Sequence, residues 1–198
     1  MPAFGSFVTV GTATHFLLPI LLGISLAAAC GLRVFMPLFI TGLLTHFDAG
    51  GVVMRDGFGW MGEWPALLAF GVATVLELLA YSVPFLDHLL DTIAVPLATV
   101  AGTVVAASTF VDQSPLFTWS LALIAGGGIA GLISAGTATT RVASTAATAG
   151  LGNPLLALAE TGGSLLLSLL AWFLPFVAAL LVIATLWLVW RLWQRVRK

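Results

Sequence analysis

Apolar stretches alternate with short polar intervals along the whole chain, and each stretch is continuously apolar. A helix needs about 20 mostly apolar residues to cross the hydrocarbon of a bilayer. Six stretches meet or approach that length, over residues 16–44, 66–83, 89–111, 116–140, 155–171 and 176–190. The first is long enough to tilt, kink or break, and the fourth fades into small residues. In lipid only helices and closed barrels satisfy every backbone group, and barrel strands would alternate apolar with polar positions. The pattern therefore predicts an all-α integral membrane protein with about six transmembrane helices.

Composition sharpens this reading. Of 198 residues, 60% are apolar and 8% charged, with a mean hydropathy of +1.12; a soluble domain carries roughly a quarter charged residues. Seven Lys+Arg against eight Asp+Glu leave no basic face for nucleic acid. Cys30 is the only cysteine, so no disulfide forms within one chain. No polar stretch is long enough to fold as a separate catalytic domain. Four of the seven basic residues, Arg191, Arg195, Arg197 and Lys198, follow the sixth stretch, which places the C-terminus in the cytoplasm by the positive-inside rule. Six crossings would put the N-terminus there too, and the 46–64 loop outside. The first fourteen residues lack the basic region of a signal peptide. A bacterial cytoplasmic membrane is the expected location.

An internal echo suggests two units. Leu78-Leu79-Ala80-Tyr81-Ser82-Val83-Pro84-Phe85 resembles Leu169-Leu170-Ala171-Trp172-Phe173-Leu174-Pro175-Phe176, and Trp64-Pro65 and Asn153-Pro154 lie upstream of each. Arg33-Val34 and Arg141-Val142 form a weaker echo. Two units of three spans, 1–113 and 114–198, would insert with opposite topology, a three-plus-three inverted repeat with Pro- and Gly-broken helices of the kind found in transporters and channels. The alternative is coincidence in a Leu/Ala-rich background. Between residues 125 and 152, 22 of 28 residues are Gly, Ala, Ser or Thr. Gly127, Gly131, Ala135, Thr139, Ala143 and Ala147 recur every fourth position, a ridge that lets helices approach closely. It serves tight packing, lines a solute path with threonine hydroxyls such as Thr140, or offers a homodimer interface through Gly127, Gly131 and Ala135.

Charges at the bilayer centre cost at least ~2.5–3.5 kcal/mol each and so find partners or functions. Arg33, Glu77, Asp91 and Glu160 lie inside apolar stretches, and Arg141 stands at the entrance to the last two. Structurally, each arginine would neutralise one of Glu77 and Glu160. Functionally, Arg33 and Arg141, with Asn153 and Thr140, would bind a substrate, while Glu77, Asp91 and Glu160 couple protons or cations. Asp87, His88 and Asp91 set two carboxylates one helical turn apart beside an imidazole, which could hold a divalent metal; Asp87 reads equally as a helix N-cap. Pro37, Pro96, the 126–128 glycines and the 150–154 segment are expected to interrupt or bend helices. Asn153-Pro154 near Glu160 is the expected discontinuous helix end. No metalloprotease, hydrolase, nucleotide-binding or paired-cysteine motif occurs.

These residues resemble a membrane family called domain of unknown function 4126. The resemblance covers nearly the whole chain. It rests on Gly31-Leu32-Arg33-Val34-Phe35-Met36-Pro37-Leu38, on Glu77 with Pro84, Asp87 and Asp91, and on Arg141 with Gly152-Asn153-Pro154 and Glu160. The chain departs from the family pattern at Ala157 and Thr161, where the resemblance implies a serine and a second acid. A mechanism that needs paired acids at Glu160 loses its support there. The family implies no activity.

The expected function is a small secondary transporter or channel-like permease with a midplane polar site, proton- or cation-coupled, for a small anionic metabolite or a lipid phosphate. The alternative is a non-transporting lipid-binding or scaffold protein whose buried charges are structural pairs. No cofactor is expected and the chain is not read as an enzyme, although intramembrane lipid modification stays open as a third class.

Overall fold

The computed structural model describes residues 4–49, 54–81, 84–110 and 114–196, and every regular element among them is helical. Helix α1 spans Phe4–Leu32 and α2 Phe35–His46. A 3-10 turn, Gly59–Gly62, leads into α3, Trp64–Ala80, and then α4, Pro84–Thr109. Helix α5, Pro115–Leu121, continues through a π-helical segment, Ala122–Gly127, into α6, Gly128–Thr148. Helices α7, Asn153–Phe173, and α8, Pro175–Val196, complete the order. Among the described residues three stretches are long and apolar enough to cross a membrane: Thr92–Thr109, Pro115–Thr148 and Asn153–Phe173. Large apolar side chains stay exposed along α3, α7 and α8, among them Leu68, Val72, Leu158, Leu166, Leu180 and Ile183. That outward apolar surface is what a protein of the lipid bilayer presents.

The first apolar stretch is two helices, not one span. Pro37 cannot donate a helical hydrogen bond, and its ring crowds the carbonyl four residues back, that of Arg33. Helix α1 ends there, with Arg33 N–H still bonded to Ala29 O at 3.1 Å. Helix α2 then runs antiparallel to α3: Val34 and Phe35 meet Glu77, Phe39 lies against Gly71, and Gly42 against Met61 and Leu67. The far end of α2 is tied back toward the start of α1's buried stretch. His46 Nδ1 lies 2.7 Å from Gly62 O, tight turns join Met61 to Phe58 and Phe58 to Arg55, and Arg55 N–H donates to Ser108 O at 2.8 Å. Gly23 of α1 packs on the neighbouring Ala106 and Thr109. Helix α2 thus turns back along α1, and the pair is a hairpin with Arg33 and Val34 at its tip.

Helix α1 is the central element. From Ser25 to Gly31 every residue is buried, as expected of a helix that is apolar all round and enclosed by neighbours. Helix α4 crosses it antiparallel, with Ala27 against Gly102. At the α4 crossing with the π segment, a Cβ on Gly102 would lie 2.5 Å from the Ala130 Cβ and 3.0 Å from Gly126 O. The expected break at 126–128 is thus a π-helical turn inside a continuous helix, and Pro96 sits inside an unbroken α4. Helix α7 also runs antiparallel to α1: Ser164 Oγ donates to Ala29 O at 3.0 Å, and Gly163 lies on Leu32. After Leu174 the chain reverses, and Leu181, Val182 and Thr185 of α8 face Gly163, Leu166 and Leu170 of α7 across a small apolar cavity.

The ridge on α6 divides. Gly127 and Gly131 face inward against Thr99 and Thr103 of α4, while Ala135, Thr139, Ala143 and Ala147 are exposed. The two glycines expected at a dimer interface are therefore occupied by the chain's own α4. Any self-association surface on this helix would have to use the later, exposed positions.

Candidate functional site

The break at Arg33 exposes the start of α2, whose first backbone N–H groups have no partner within their own helix. Glu77, nearly four turns into α3, supplies it. Val34 N–H donates to Glu77 Oε1 at 2.9 Å and Phe35 N–H to Oε2 at 3.1 Å. Pro37 has no N–H to satisfy. A carboxylate at a helix N-terminus also meets the positive end of the helix dipole. The sequence pattern points to a discontinuous helix end at Asn153-Pro154; the structure places one at Val34-Phe35, with a carboxylate already seated on it.

Four ionisable side chains converge at this tip, and all are buried: Arg33 is 1% exposed, Arg141 3%, Glu77 7% and Glu160 8%. Arg33 is held by α7, with Nε donating to Thr161 Oγ1 at 3.0 Å and Nη2 to Ala157 O at 2.8 Å. Its Nη2 lies 3.6 Å from Glu160 Oε2. Arg141, on α6, forks onto the same carboxylate: Nε donates to Glu160 Oε1 at 3.2 Å and Nη2 to Oε2. The expected one-to-one pairing of two arginines with two glutamates is thereby corrected. Both arginines reach Glu160, because Glu77 is engaged by the α2 amides.

Tyr81 completes the cluster. The Arg33 and Arg141 guanidinium carbons lie 4.1 and 3.7 Å from its ring centroid, within the range of cation–π attraction. Tyr81 is the only tyrosine in the chain. The sequence marks it only as part of the repeat, yet it caps the end of α3 four residues after Glu77 and so falls on the same side of that helix. Ala157 and Thr161 stand out in the sequence only as departures from the family pattern. In the fold both serve Arg33, because the Ala157 carbonyl and the Thr161 hydroxyl accept from its guanidinium and orient it. Glu160, Thr161, Ser164 and Ser168 form a polar stripe on α7, a signal that marks the inward face of that helix.

Other expected site residues lie elsewhere. Thr140 is exposed, with its hydroxyl donating to Gly136 O at 2.9 Å within its own helix. Thr137, Thr139 and Thr148 likewise donate to carbonyls of α6. Asn153 begins α7 and its amide donates to Thr145 Oγ1 at 3.0 Å, two turns before Glu160. The side chains of Asp87, His88 and Asp91, and with them the expected metal site, lie outside the described residues. Among the described residues no group of three His, Cys, Asp or Glu side chains could hold a metal.

The arrangement can bind an anion between two guanidinium groups and can exchange a proton at a carboxylate. Arg33 Nη1 is buried with no hydrogen-bond partner among the described residues. No curated protein and no solved structure matches the chain. A family model matches it over residues 20–195, and the chain belongs to the family described as Domain of unknown function (DUF4126).

Proposed function

We propose that this protein is a small permease of the cytoplasmic membrane that moves a small anionic solute past a buried site built by Arg33, Arg141, Tyr81 and Glu160. The observation that carries the reading is the convergence of two buried arginines and a carboxylate at the tip of a helix hairpin. Broken helices at membrane depth are tolerated where they are buried in protein or line a cavity, and secondary transporters build solute sites from them. Glu160 is the proton-coupling group of this reading, and Glu77 holds the hairpin tip in place.

The helix directions support an inverted repeat. Helix α3 ends at Ala80 and α4 begins at Pro84, α7 and α8 meet at Leu174, and the two pairs run in opposite senses. The echoing Leu-Leu-Ala and Pro-Phe segments stand at both junctions. In this reading the units are 1–113 and 114–198, and the first apolar stretch enters and leaves on one side as a re-entrant pair. The C-terminal arginines face the cytoplasm, and the 54–63 loop faces outward. Leu17, exposed on α1, lies on the same side as that loop in this reading, whereas six full crossings would put the N-terminal end in the cytoplasm.

A second reading has one observation in its favour. Glu77 and Glu160 both have hydrogen-bond donors in place, as structural pairs would in a non-transporting lipid-binding or scaffold protein. Glu160→Gln separates the two. In a permease the variant folds and loses coupled uptake into proteoliposomes. If the pair is structural, the variant loses stability, because a buried guanidinium deprived of its partner costs about 3–5 kcal/mol.

A further inference from the structure

We propose that Glu160 is the resident occupant of a carboxylate receptor, and that a small monocarboxylate displaces it from Arg33 and Arg141 as Glu160 takes up one proton. The inference rests on the permease reading for its physiological purpose, but the binding event stands on the geometry of the cluster. Arg141 meets both oxygens of one planar carboxylate through Nε and Nη2, the side-on fork that matches carboxylate shape. Arg33 reaches the same group at 3.6 Å, yet its position does not depend on it. Thr161 Oγ1 and Ala157 O fix two of its nitrogens, so the guanidinium keeps its place when Glu160 withdraws. Its Nη1, buried and without a hydrogen-bond partner among the described residues, is a spare donor for an incoming oxygen.

Charge conservation supplies the coupling. A second carboxylate brought to this buried cluster adds a negative charge that low-dielectric surroundings penalise heavily. One proton on Glu160 removes that charge and releases the guanidinium groups together, so one anion and one proton enter as a unit. The ionisable groups around Glu160 are Arg33 at the hairpin tip, Arg141 on α6, Glu77 on α3 and Tyr81 at the C-terminal end of α3; the α4 side chains at 87, 88 and 91 lie outside the described residues. Glu77 is the less suited proton acceptor, because two backbone amides hold its oxygens. A phosphate would bring more oxygens and, at neutral pH, a second charge to a place shaped for one carboxyl group.

The single tyrosine makes the test direct. Full-length protein grown with 3-fluorotyrosine carries one fluorine, at Tyr81, and its NMR resonance reports events at the two arginines. Sodium formate is the probe, since it stays ionised between about pH 5.5 and 8. In the wild-type protein the resonance is expected to shift saturably with formate, with apparent affinity falling by up to tenfold per pH unit as pH rises, because one proton enters with each anion. Glu160→Gln mimics the protonated acid and is expected to bind formate equally well across the range, at least tenfold more tightly than wild type at the upper pH. No response to formate at any pH overturns the proposal, as does a wild-type affinity independent of pH. An equal response to inorganic phosphate overturns the carboxylate assignment. If Glu160→Gln does not fold, the wild-type pH series alone decides. Uptake in proteoliposomes separates the two levels: formate binding without uptake of any solute sinks the permease reading and leaves this inference standing, whereas uptake of another solute without a formate response does the reverse.

Discussion

Removing the Glu77 carboxylate should unfasten the hairpin tip. Its two oxygens accept from Val34 and Phe35 N–H at 2.9 and 3.1 Å, and Val34 is buried. A buried amide left without a partner costs about 1–3 kcal/mol. Two of them, with no side-chain cap at the start of α2 to take over, give about 4 kcal/mol for Glu77→Ala. Glu77→Gln keeps one acceptor oxygen but turns an amide donor toward the other N–H, so it should lose about half as much by the same measure. Two assays check this in detergent micelles: equilibrium unfolding, and hydrogen exchange read by mass spectrometry on the peptide containing Val34 and Phe35. Local opening made easier by about 4 kcal/mol accelerates exchange there by up to a thousandfold, since roughly 1.4 kcal/mol is a factor of ten. A Glu77→Ala protein within about 1 kcal/mol of wild type, with unchanged exchange at these amides, would refute the idea that this carboxylate holds the break.

Other expectations follow from single contacts. Arg55 donates to Phe110 O at 3.0 Å and to Thr118 Oγ1, tying the loop to the end of α4 and the start of α5; Arg55→Ala should cost about 1–2 kcal/mol in an unfolding titration. Gly102→Ala would force apart the α4 crossing with α6 and should cost about 1–3 kcal/mol, visible as a lower melting temperature. Ala149 ends α6 in the left-handed region at φ 51°, so Ala149→Gly should raise stability by about 1 kcal/mol in the same measurement. For topology, Leu17→Cys and Asp56→Cys should react with an impermeant maleimide from one side of the membrane and Gln194→Cys from the other. Cys30 is fully buried and contributes little background.

The membrane class was legible because it depends on totals, and totals survive any arrangement of the helices. The ionisable residues were legible for a related reason: Arg33, Glu77, Arg141 and Glu160 stand out against apolar neighbours wherever they point. Pairing was not legible. Nothing in the sequence says that Glu77 meets backbone amides rather than an arginine, because that requires α2 to fold back along α1. Pro37 carries the cause, yet a proline states where a helix ends and not the direction in which the chain leaves. What the threonines of α6 bond was not legible either: a helical hydroxyl can donate to its own preceding turn, as Thr140 does to Gly136 O. Tyr81, Ala157 and Thr161 went unrecognised because their roles are to stack on, or accept from, arginines supplied by distant helices.

The buried cluster either moves a solute or only holds the helices together. The most direct measurement is uptake of labelled small monocarboxylates into proteoliposomes under an imposed inward proton gradient, with wild type and a Glu160→Gln protein shown to be folded. A permease gives saturable, gradient-driven uptake by wild type and loses it in the variant. Equal rates in wild type, variant and protein-free vesicles would contradict the permease reading and leave the cluster a structural fastening.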